Sequence, residues 1–151
     1  MKLKRTLIAV LAIVVVFCAL LTFDTIRAKT FHIEIVSITP EKPIADVREP
    51  VEIKLRVTHD GKGVEGHLLF AVSKGGGTFK GNRSETDADG IVVFTYVPYT
   101  ETMLQPAKPV TISVIDESNS IFLEVNARFE FQIDLQSKPK ATGGEMERWE
   151  A

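Results

Sequence analysis

The chain has a single cysteine, Cys18, and it lies inside an uncharged apolar run. Everything beyond that run is therefore without a disulfide, a thiolate nucleophile or a cysteine metal ligand. A domain of this kind must hold together by core packing, and a disulfide-free exported domain points toward a bacterial source. Histidine is scarce as well. His32, His59 and His67 stand in three different segments, which is not the converging donor set that a structural zinc site needs. Charge of one sign is missing from the front: residues 1–23 hold Lys2, Lys4 and Arg5 and no acid. The remaining 15 Lys and Arg face 20 Asp and Glu in residues 24–151, a net charge of −5 with no basic cluster. A nucleic-acid surface needs a patch of Lys and Arg on the phosphates, so nucleic acid is excluded as a partner.

What is present begins with LIAVLAIVVVFCALLTF, residues 7–23, seventeen residues without a charge. As a helix rising about 1.5 Å per residue, the run covers roughly 25 Å, the short end of a bilayer span. The basic residues before it and Asp24 after it leave the N-terminus in the cytoplasm and send residues 24–151 outward. The rival reading is a cleaved secretory signal. The run is longer than a usual signal core, and its best exit, Ile26-Arg27-Ala28, places the large Ile26 where a small residue belongs.

The rest alternates. In residues 51–58, Val51, Ile53, Leu55 and Val57 take one face and Glu52, Lys54, Arg56 and Thr58 the other. Period two marks a half-buried strand. Residues 31–38 show the same pattern with Phe31, Ile33 and Ile35, and residues 109–116 with Val110, Ile112 and Val114. Residues 67–73 form a nearly continuous apolar run, expected as a central strand, and 91–98 form another strand. Asp60-Gly61, Gly75 to Gly77 and Asp89-Gly90 supply turns. The parity of Ile121 to Leu135 would make a strand of about 50 Å, so a break or bulge near Asn126, or two strands from one run, is expected. No useful 3.6 period follows residue 30. About 110 patterned residues suit one all-β domain, a sandwich or a barrel.

Gly61, Val64 and Gly66 before the central strand, Gly75 to Gly77 after it, and Thr86, Asp87 and Gly90 before the next resemble bacterial immunoglobulin-like domains of the invasin and intimin type. The likeness covers residues 33–135. It implies an immunoglobulin-like antiparallel β-sandwich of the sort found in stalk repeats, adhesins and modules of surface complexes. Stalk proteins string many such copies together, whereas this chain shows one.

Candidate chemistry is sparse. Asp87 and Asp89 stand two apart as in calcium loops, and Glu85 could join them, but the position of the bidentate Glu in an EF-hand is held by Pro98. Glu85, Asp87 and Asp89 are thus weak metal candidates beside a turn reading of the same residues. Ser73, Ser84 and Ser113 lack a nucleophile elbow, and Gly75 to Gly77 lack the Lys-Ser/Thr of a phosphate loop. Asn82-Arg83-Ser84 fits a glycosylation acceptor, relevant only in a glycosylating cell. Residues 98–108, PYTETMLQPAK, place large apolar groups in a loop, and Tyr96, Tyr99, Met103 and Leu104 are the interface candidates.

The expected layout is a cytoplasmic N-terminus over 1–6, a transmembrane helix over 7–23, a linker over 24–30, the sandwich over 31–135 and a flexible polar tail over 136–151. In that tail Met146 and Trp149 could share one face of a short helix. The expected function is a non-enzymatic, membrane-anchored, extracytoplasmic module that binds protein through an end loop or a sheet edge, with lipid as the partner of residues 7–23 and no cofactor. The alternatives are a carbohydrate or cell-wall ligand module, for which Tyr96, Tyr99 and Trp149 are few platforms, and a subunit of a surface fibre.

Overall fold

A computed structural model describes residues 2–139. The chain begins with α1 (Lys2–Thr30), whose residues Lys4–Thr30 are long and apolar enough to cross a membrane. Its apolar side chains are exposed all round, from Leu7 and Ile8 to Phe23 and Ile26. A helix with this surface needs lipid or protein around it. The linker expected over 24–30 is a correction: these residues are helical, and β1 (Phe31–Thr39) follows Thr30 directly. Asp24 does not end the helix because the sandwich supplies partners for its carboxylate, as described below.

Among the described residues nine strands make two antiparallel sheets. β2 (Val51–His59), β7 (Ile91–Val97) and β5 (Thr78–Phe79) follow β1 in one sheet, in the order β1-β2-β7-β5, with the short β3 (Lys62–Gly63) on β2. The second sheet has the order β6-β4-β8-β9, from β6 (Arg83–Glu85), β4 (Leu68–Lys74), β8 (Pro109–Asp116) and β9 (Arg128–Asp134). Strands β1, β2 and β7 take the places of A, B and E, and β4, β8 and β9 those of C, F and G, with β6 at the edge beside β4. This is the immunoglobulin-like arrangement.

The period-two pattern sets what is buried. Val51, Leu55 and Val57 are fully buried, as are Val110, Ile112 and Val114 from the facing sheet, and Phe94 and Tyr96 of β7 lie between them. Asp60 and Gly61, with φ of 50° and 76°, make the two-residue turn between β2 and β3. Positive φ at both central residues is the I′ geometry that matches strand twist.

Two expectations of parity fail for a local reason each. Ile35, the last residue in register before the β1–β2 shift between Ile35 and Ser37, is 39% exposed, and beyond the shift Ile38 packs against the core. A bulge reverses which parity faces the core. The run from Ile121 to Leu135 is a strand only over β9, while residues 121–127 leave the sheet as a loop. The break falls at the expected place, but Ile121 turns out to solvent and Phe122 is 52% exposed.

Loss of the buried Leu55 side chain removes transfer energy and leaves a cavity. Leu55→Ala is expected to lower stability by about 2–5 kcal/mol, measured as a shifted denaturant midpoint of the full chain in detergent.

Candidate functional site

Register fixes the two ends of the sandwich. β1 leaves the helix at Phe31, opposite His59, and reaches Thr39 opposite Glu52. Val51 lies beside Tyr96, Lys74 beside Thr111, and Pro109 beside Asp134. The connections 40–50, 75–77 and 98–108 and the residues after Asp134 therefore gather at the end remote from the helix. The connections 60–61, 64–67, 86–90 and 117–127 lie at the helix end.

At the remote end the loop 98–108 is tied down at several points. The Tyr99 hydroxyl donates to Pro106 O at 2.9 Å and accepts from Lys108 N at 3.1 Å. Thr102 and Gln105 close a turn, with Thr102 N to Gln105 O at 3.0 Å and Gln105 N to the Thr102 hydroxyl at 3.1 Å. Glu101 N donates to Ala45 O at 2.9 Å, and Val47 N to the Thr100 hydroxyl at 3.3 Å. The glycine turn serves the same end. A Cβ on Gly76 would lie 2.6 Å from the Tyr99 ring, and one on Gly77 would overlap the Tyr96 ring and hydroxyl. Both glycines hold positive φ, which side chains seldom adopt.

From this braced loop Met103 and Leu104 project fully into solvent, and Val47 stands 54% exposed on the neighbouring connection. Tyr99 is partly buried against the core and acts as their support. Tyr96 is a correction. It is fully buried, its hydroxyl donates to Gly76 O at 2.9 Å, and burial pushes its phenol up to about 12. It shares the inward parity of Val92 and Phe94, so it belongs to the core and offers no surface to a partner.

The start of the expected tail is also a correction. Gln136 bridges Ile44, with Gln136 N donating to Pro43 O and Ala45 N to Gln136 O. The Ser137 hydroxyl and Lys138 N donate to the Glu101 carboxylate, and Lys138 Nζ lies 2.7 Å from Asp46 Oδ2. Residues 136–138 thus lace the two connections together. Met146 and Trp149 lie outside the described residues. The Lys138 ammonium and then the Arg48 backbone N–H hold the Asp46 carboxyl below its ordinary 3.8, at about 2. A depressed folded value means that the stabilisation is full above the unfolded value and is lost as the pH falls through about 2. Lys138→Ala is expected to return the Asp46 titration toward about 3.9, followed by carboxyl NMR.

The other candidates go to structure. Asp87 Oδ1 accepts Asp89 N at 3.0 Å and Ile91 N at 2.8 Å, as an Asx turn does. Glu85, Asp87 and Asp89 are all exposed, and among the described residues no three His, Cys, Asp or Glu side chains converge on a metal position. His67 Nδ1 and Asp116 Oδ2 do meet, at 2.6 Å, with the Phe31 ring tilted against the imidazole at 4.9 Å. The hydroxyl of Ser118, two residues from Asp116, accepts Leu68 N at 2.8 Å, so this group braces the start of β4.

Sequence reasoning missed Asp24. It is fully buried although it lies on the apolar helix. Its carboxylate accepts Ile121 N at 3.2 Å, Phe122 N at 2.9 Å, Leu123 N at 2.6 Å and the Ser120 hydroxyl at 3.2 Å. Arg27 Nε donates to Asn119 O at 2.9 Å, and its guanidinium lies over the Phe31 ring. Phe23 meets Phe122 edge-on at 5.7 Å. The only signal in the sequence was an acid placed within reach of an otherwise apolar helix.

No protein-family model and no curated protein matches the chain. Among solved structures it is similar to the D0-D1 domain of intimin, at 14% identity over 68% of this chain and 48% of that one, with a TM-score of 0.47. It is also similar to a C-terminal 282-residue fragment of intimin in complex with the translocated intimin receptor intimin-binding domain, at 16% identity over 66% of this chain and 32% of that one, TM-score 0.47. A conjugative transposon lipoprotein from Bacteroides eggerthii is similar at 16% identity over 70% of this chain and 97% of that one, TM-score 0.46. The chain spans less than half the length of the intimin structures. The strand order itself defines the sandwich.

Proposed function

We propose that the chain is a non-enzymatic binding module, held in a bacterial membrane by α1 and docking a protein partner outside the cytoplasm through its helix-remote loops. The observation that carries this reading is the full exposure of Met103 and Leu104 on a loop whose backbone is hydrogen-bonded into place. Adjacent exposed apolar groups on an ordered loop lower the ordering cost that a partner must meet. Methionine also adapts its shape to an irregular counter-surface.

The anchored reading is supported by Asp24. Cleavage after Ala28 would remove it and leave the N–H groups of Ile121, Phe122 and Leu123 without their acceptor. The basic flank of Lys2, Lys4 and Arg5 favours the cytoplasmic side for the start of the helix. The carbohydrate reading loses a platform, because Tyr96 is buried.

A photoreactive residue at position 104 of the full chain, in its own membrane, is expected to give one defined adduct. The same residue at position 65, on a connection at the helix end, is expected to give none. Met103→Glu should abolish the adduct at 104. Uncrosslinked monomer at both positions would count decisively against the docking reading.

A further inference from the structure

Ile121 and Phe122 are 55% and 52% exposed on a loop of a sandwich whose remaining apolar side chains mostly face inward. Their place is set by the helix. Asp24 gathers the N–H groups of residues 121–123, and Phe122 rests edge-on against Phe23. The apolar surface of the helix continues past this point to Ile26, which is 61% exposed. From Leu7 to Ile26 a helix covers about 30 Å, the thickness of a bilayer hydrocarbon core. Asp24 then falls at or just inside the lipid boundary, where a bare carboxylate becomes more costly the deeper it lies. The loop is what covers it, and a loop wrapped around that carboxylate lies at the same depth. Beside it, Lys29 and Arg128 line a groove between the helix end and residues 125–128.

We infer that residues 120–123 form a second membrane contact, a lipid-dipping loop in which Ile121 and Phe122 enter the acyl boundary next to the helix. The occupant of this apolar patch is the bilayer that holds α1, because the patch is continuous with the spanning surface through Phe23 and Ile26. The sandwich is then fixed to the membrane at two neighbouring points, and its tilt is set by the loop as well as by the helix. Asp24 is the positioning residue that keeps the loop against the helix.

The inference rests on the anchored reading, and one experiment separates the two. The full chain carrying Trp149→Phe and Phe122→Trp is reconstituted in phosphatidylcholine vesicles with brominated acyl chains. The expected result is a blue-shifted emission quenched severalfold by the bromolipid, with Met103→Trp in the same background unshifted and unquenched. Ile121→Trp should report the same as Phe122→Trp without altering the Phe23 contact. Adding Asp24→Asn should weaken the bromolipid quenching at position 122 while the β signal in circular dichroism persists. A protein that floats with the vesicles while positions 121 and 122 respond to aqueous iodide as position 103 does overturns the lipid-dipping loop alone. A protein that fails to float with the vesicles overturns the anchored reading together with it.

Discussion

A chain that passes from an apolar helix into a sandwich without a linker has to solve a geometric problem at the junction. Thr30 is helical and Phe31 is already paired with His59, so the direction of the helix and that of β1 are coupled. Coupling of this kind is stable only if something resists bending between the two bodies, and Asp24 is that element. Four donors from residues 120–123 converge on one carboxylate, and Arg27 adds a fifth tie through Asn119 O. Hydrogen bonds to a charged acceptor are stronger than neutral ones, and a carboxylate so surrounded is satisfied without water. The junction therefore sets which loops stand near the helix and which stand far from it.

The core was legible because its rule is local. Alternation along residues 51–57 and 109–114 is enough to name the buried side chains, since side chains on a strand point to opposite faces. The same rule would have placed Tyr96 inward beside Val92 and Phe94. Reading it as a surface residue gave more weight to its neighbours in the 98–108 loop than to its own strand. Ile35 and Ile121 show where the rule stops. A bulge inverts the parity after Ile35, and at residues 121–127 parity persists in the sequence while the backbone leaves the sheet to reach the helix.

The candidate docking end was only half legible. Met103 and Leu104 could be singled out because they are large and apolar among prolines and polar residues. The ties that fasten this loop to the rest of the sandwich could not, because they join segments distant in the chain: Ala45 to Glu101, Gly76 to Tyr99 and Tyr96, and Asp46 and Glu101 to Lys138. No local pattern announces such contacts. That is also why residues 136–138 read as tail, since a Gln-Ser-Lys triplet has no hydrophobic period and is fixed by partners 36 or more residues away.

On the anchored reading, the two ends act together. Strands of about nine residues at roughly 3.3 Å each place the remote loops about 30 Å beyond the helix end. A flexible linker would spread that height and dilute the loop over a large volume. A braced junction confines Met103 and Leu104 to a narrow layer above the bilayer, which raises their effective concentration toward any protein confined to the same membrane. On that reading the partner that suits the geometry is one standing in or close to the same membrane, and the Asp24 junction serves the apolar tip by holding its height.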